Sequence, residues 1–109
     1  VVARSGALTL SHLYNYPNPF SDQTWFVFEH NQPGRNLNID IRIYSMDGRL
    51  VRQMEERVIT SGFRTNPIPW RGDSDAGNPL AGGLYIYRVR VDGGEGFSNE
   101  MSGKLVLVR

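Results

Sequence analysis

The stretch from residue 37 to residue 44 constrains this chain more than any other. Leu37, Ile39, Ile41 and Ile43 alternate there with Asn38, Asp40, Arg42 and Tyr44. A period of two belongs to a β-strand, whose successive side chains leave on opposite faces, so the segment has one buried face and one wet face. Burial of each of these aliphatic side chains contributes roughly 1.5–3 kcal/mol, which makes the strand part of the core. Asp47-Gly48 follows directly. The pair predicts a two-residue type I′ hairpin turn, which needs positive φ at both central positions, and a return strand over residues 49–56.

Gly and Pro punctuate the rest of the chain at short intervals, and the segments between them favour β-branched and aromatic residues. Residues 1–13 read as a linker leading into a first short strand around Leu8–Leu10, and residues 14–109 as one domain. In Tyr16-Pro17-Asn18-Pro19-Phe20 the prolines lack backbone donors and bias the residues before them toward extended backbone. This predicts a rigid, irregular entry into a strand over residues 24–30. Pro33-Gly34 marks a turn. Pro67 and Pro69 restrict residues 62–70 to an edge strand or irregular structure. A long polar connection rich in Gly and Asp covers residues 71–83. Tyr85, Tyr87, Val89 and Val91 then alternate with Ile86, Arg88 and Arg90, before an expected turn at Asp92-Gly93-Gly94 and a last strand ending in Leu105-Val106-Leu107-Val108. With 109 residues, about seven antiparallel strands and no amphipathic helix, the expected fold is an all-β, immunoglobulin-like sandwich.

Composition narrows the function classes. A net charge of +1 argues against a nucleic-acid binder, which normally carries a strongly basic face. Without cysteine there is no disulfide framework, thiolate metal site or cysteine nucleophile. No apolar run approaches the ~18 residues of a membrane-spanning helix. The abrupt start at Val1-Val2-Ala3-Arg4 reads as a segment of a longer parent whose leader lies upstream.

Nothing in the chain assembles a catalytic site. His12 and His30 are the only histidines, neither at metal-ligand spacing from a carboxylate cluster, and no nucleophile elbow, phosphate loop or cofactor motif is present. Asp73-Ser74-Asp75-Ala76-Gly77-Asn78 resembles the front half of a calcium loop, with Asp73 and Asp75 as candidate ligands, but Leu84 stands where the bidentate Glu belongs. The same residues stabilise tight turns, which is the favoured reading. Arg71-Gly72-Asp73 is a tripeptide that some receptors read, and three residues carry little information. The strand containing Trp25, Phe26, Val27 and Phe28 is apolar on both faces, so its second face is either covered within the domain, the favoured case, or exposed as a contact patch. The final strand is apolar on both faces too. It is either buried or presented to a partner, by packing or by edge addition.

These segments together resemble a known family. Residues 16–20, then Ile41-Arg42-Ile43-Tyr44-Ser45-Met46-Asp47-Gly48-Arg49-Leu50-Val51-Arg52, are similar to the opening half of the C-terminal sorting domains of type IX secretion cargo. Trp70, Gly72, Asp75, Gly77, Leu80, Ala81, Gly83, Tyr85, Tyr87 and Val89 continue the pattern, which also resembles the immunoglobulin-like domain of flagellar hook-capping proteins. The ending, Gly103-Lys104 through Arg109, resembles only the sorting domains. Phe26-x-Phe28-Glu29-His30-Asn31-x-Pro33 looks like the C-terminal region of gingipain sortases.

The resemblance implies a non-catalytic module of an exported protein. It is recognised by the type IX translocon and its outer-membrane shuttle barrel PorV, and it delivers its parent to the cell surface, with any catalytic residues outside this chain. No cofactor, nucleic acid or membrane span is implied. The recognition residues expected are Gly103, Lys104, Leu105, Val106, Leu107, Val108 and Arg109, with Lys104 and Arg109 as charged bookends, followed by Gly48 and Arg49. Gly48 is expected to act through turn geometry. Gly72, Gly77 and Gly83 are expected to shape the long loop. The alternatives are a structural spacer and a carbohydrate-binding sandwich with Trp25 and Tyr44 as exposed aromatics.

Overall fold

The computed structural model describes residues 8–109. Its strands are β1 (Leu10–Tyr16), β2 (Thr24–His30), β3 (Leu37–Ser45), β4 (Leu50–Val58), β5 (Ile68–Trp70), β6 (Gly83–Gly94) and β7 (Phe97–Leu107). They form an antiparallel three-stranded sheet, β1-β2-β5, and an antiparallel four-stranded sheet, β4-β3-β6-β7. This is the seven-strand immunoglobulin-like sandwich.

Alternation sets the faces as the sequence requires. Leu37, Ile39, Ile41 and Ile43 of β3 and Tyr85, Tyr87, Val89 and Val91 of β6 are buried together, and by register Ile39, Ile41 and Ile43 stand opposite Val91, Val89 and Tyr87. Phe26 and Phe28 meet them from β2, with the Phe26 and Tyr87 rings 4.9 Å apart and near edge-on. Trp70 closes one end of the core against Phe20, at 5.6 Å between ring centroids, and its indole N–H donates to the Asp73 carbonyl. The Tyr85 hydroxyl donates to the Ala81 carbonyl at 2.6 Å, a tie from the start of β6 back to the preceding turn like the tyrosine corner of immunoglobulin domains.

Several local expectations are revised. The first strand begins at Leu10 and runs on to Tyr16, because pairing with β2 continues to Tyr16–Trp25, while Leu8 already lies in the core. Residues 1–7 of the expected linker lie outside the described residues. The Asp47-Gly48 hairpin is not a two-residue type I′ turn. Gly48 alone has positive φ (87°), and its N–H donates to the Ser45 carbonyl, so Met46-Asp47-Gly48 is the longer loop closed by a left-handed glycine. The two-residue turn with both central residues left-handed is Glu95-Gly96 (φ 55° and 84°). The turn expected at Asp92-Gly93-Gly94 is instead the bulged end of β6. Gly93 is held there by Arg35, whose guanidinium donates to its carbonyl at 3.1 Å and lies 4.5 Å over the Phe97 ring.

Candidate functional site

The four-stranded sheet gathers the residues expected to carry recognition at one end. The β3–β4 loop with Gly48 and Arg49, the start of β6 and the finish of β7 all lie there, because Ser45 pairs with Tyr85 and Gly83 with Leu107. The loop is separated from β7 by two or three strand spacings, about 10–14 Å. Inside the loop the Ser45 hydroxyl donates to the Asp47 carboxylate and holds that carboxyl below its ordinary pKa.

Within β7 the two faces separate sharply. Leu105 and Leu107 are 0% and 2% exposed and belong to the core. Gly103 pairs with Tyr87, and a Cβ built on it would meet the tyrosine ring and hydroxyl at 2.7 Å. The glycine is therefore required by the ring that covers it, and burial pushes the Tyr87 phenol up to about 12. On the opposite face Lys104 pairs with Ile86 and Val106 with Leu84, and Ile86 in turn pairs with Tyr44. These side chains form a half-exposed apolar end to the sheet. Arg42 and Arg88, directly opposite each other, stand in the next row, with Arg88 5.7 Å over the Tyr44 ring.

The outer edge of β7 is closed at this end. The Asn18 side chain mimics a strand: its amide donates to the Lys104 carbonyl at 3.1 Å and its carbonyl accepts from the Val106 N–H at 3.0 Å. Phe20 continues the pairing, donating to the Val106 carbonyl and accepting from the Val108 N–H. The Pro-flanked segment that reads as a rigid entry to β2 is thus also the cap on the last strand. Edge addition at residues 104–108 is blocked, so a partner at this end meets side chains. An asparagine between two prolines was the available signal, since its amide offers one donor and one acceptor to a bare edge.

Arg109 has an internal task. Its guanidinium donates to the carbonyls of Leu80 (2.9 Å), Gly72 (2.8 Å) and Ser21 (3.3 Å), tying the end of the chain to the long loop and to the β1–β2 connection. Gly72 (φ 75°) leaves room for this, since a Cβ there would meet the guanidinium at 3.1 Å. The Asp75 carboxylate accepts from the Gln53 N–H at 3.0 Å and lies 3.9 Å from Arg52, which anchors the loop to β4. Among the described residues no three acidic, histidine or cysteine side chains cluster as metal ligands around Asp73 and Asp75. His30 is buried, its Nδ1 accepting from the Gln32 N–H and its Nε2 donating to Thr60. Burial lowers its pKa.

Comparison with known proteins now decides the family. Residues 15–107 match the secretion system C-terminal sorting domain. The chain belongs to that family. It is a type IX sorting domain, a non-catalytic module of an exported protein that interacts with the secretion system. Among solved structures, dimeric latent PorU from Porphyromonas gingivalis is similar over 99% of this chain, at 30% identity and a TM-score of 0.83. The sorting domain spans only 10% of that protein. A β-glucuronidase from Parabacteroides merdae matches 92% of the domain at 11% identity and a TM-score of 0.63, over 13% of its own length, which is a likeness of fold alone. No curated protein matches the sequence.

Proposed function

We propose that this sorting domain brings its parent to the outer-membrane surface by docking on the shuttle barrel PorV, and that the docking face is the end of the four-stranded sheet where β7 finishes. The parent would be a sortase like PorU, with its catalytic residues outside this chain. One observation carries the reading. Lys104 and Val106 share an outer face with Tyr44, Leu84 and Ile86, beside the Gly48-Arg49 loop, while the backbone edge behind them is closed by Asn18 and Phe20. Lys104, Val106, Val108 and Arg49 are then the contact residues. Gly48, Gly103, Leu105, Leu107 and Arg109 hold the surface in place.

The test is binding of the domain to purified PorV, wild type against a Lys104→Glu/Val106→Asp double variant. The expected result is that the wild type binds and the folded variant loses at least about tenfold in affinity, some 1.4 kcal/mol. Equal binding by both would move the contact elsewhere on the sandwich. No binding by the wild type would leave a structural spacer as the better description.

A further inference from the structure

The outer face of the three-stranded sheet carries a second surface that the sorting role does not use. The sequence favours covering the second face of β2 within the domain. The structure covers it in part, with Val27 buried, and leaves it open around Trp25. Tyr14 and Tyr16 of β1 and Trp25 of β2 are 40%, 70% and 37% exposed. With Val27 and Pro67 they line a groove of about 400 Å³, within the range of about 300–1,000 Å³ common for small-ligand clefts. Tyr16 lies directly opposite Trp25, and Tyr14 opposite Val27, so register alone brings the rings to one face. Tyr44, the other aromatic expected of a carbohydrate site, sits on the opposite sheet and takes no part.

We propose that this groove binds a neutral hexose chain. None of the five lining side chains carries a formal charge, and the one cation at its end, Arg64, is engaged by the Tyr14 hydroxyl, so stacking on the rings outweighs ion pairing. Tyr14 and Tyr16 are two residues apart on one strand, about 6.8 Å, a separation on the scale of a pyranose ring, so neighbouring rings can each meet the C–H face of a sugar. The polar tips of the rings are available. Buried Trp70 uses its N–H internally, whereas Trp25 Nε1 and the Tyr16 hydroxyl have no hydrogen-bond partner among the described residues. The Tyr14 hydroxyl accepts from Arg64 at 2.6 Å, which leaves its own proton to donate and marks the end of the groove with a guanidinium. Rings that stack on C–H faces and offer hydrogen bonds at their rims suit a saccharide, which is apolar on its ring faces and polar at its edges.

The 109-residue chain, fluorescently labelled, is applied to an array of neutral and anionic oligosaccharides, and the best-retained glycan is then titrated against intrinsic fluorescence. Of its two tryptophans, Trp70 is buried, so a saturable change reports on Trp25. The expected result is retention by neutral hexose oligomers, with Trp25→Ala and Tyr16→Ala each weakening binding by about tenfold or more. Trp25→Phe, which keeps the ring and loses the N–H, is expected to retain part of the affinity. These side chains are exposed, and a thermal melt matching wild type confirms that each variant is folded. Three results would each overturn the proposal: no neutral glycan retained, retention of anionic glycans alone, or undiminished binding by the folded Trp25→Ala protein. None of them bears on the sorting role.

Discussion

Gly103, Leu105 and Leu107 face the core from β7, whereas Lys104 and Val106, interleaved with them, face outward from the same sheet. The inward set is fixed by packing. Leu105 and Leu107 fill the space between the sheets, and Gly103 yields its side-chain volume to Tyr87. The outward set lies outside the core, with Lys104 exposed and Val106 half-buried, and is the set that the proposed docking would use. A terminal motif that looks like one recognition signal in sequence therefore contains a folding requirement, and the proposed docking can rest only on the residues interleaved with it. Deleting residues 104–109 would remove both core leucines and the Arg109 tie at once, so truncation cannot separate loss of binding from loss of fold.

Substitutions can break or sharpen this division. Leu105→Ala is expected to have the largest effect, about 2–5 kcal/mol of lost stability from a core cavity, measured by urea denaturation. Next comes pH. With its pKa raised to about 12, Tyr87 stays protonated in the folded domain after the unfolded chain has begun to ionise near 10. Stability contributed by the neutral phenol is thus present below pH 10 and lost as pH rises toward 12, by about 2–3 kcal/mol at most. Ultraviolet titration beside alkaline melts checks the sign. Gly103→Ala drives a methyl into the Tyr87 ring and should cost about 1–3 kcal/mol. A smaller loss would mean that the ring swings aside, and recovery of stability in Gly103→Ala/Tyr87→Phe would locate the clash at the hydroxyl.

Asn18→Ala tests the closed edge. It removes the two hydrogen bonds to β7 and a third to the Asn15 side chain, all of which water can partly replace, so about 1–2 kcal/mol is expected, with faster amide exchange at Val106 as the specific signature. The smallest effect on stability belongs to the outward pair. Lys104→Glu and Val106→Asp should each stay within about 0.5–1 kcal/mol of wild type, while PorV binding falls. Large destabilisation by either would erase the distinction between the two faces.

Much of this architecture is legible in the residues themselves. Period-two alternation in β3 and β6 states which side chains are buried, since a strand has only two faces and water selects between them. Prolines at 67 and 69 place β5 at an edge by removing donors. Turn chemistry is less legible. Asp47-Gly48 and Glu95-Gly96 differ little as dipeptides, and the register of the flanking strands decides which of them closes a two-residue turn.

The sequence by itself determined the sandwich, the polarity of each central strand and the family, because these depend on local periodicity and on ordered motifs. Tertiary structure alone decided that Asn18 caps the last strand some 86 residues away, that Arg109 ties three carbonyls, and that Tyr14, Tyr16 and Trp25 share an open groove. Each of those outcomes depends on which segments become neighbours across sheets and edges, a relation that periodicity within a single strand does not contain.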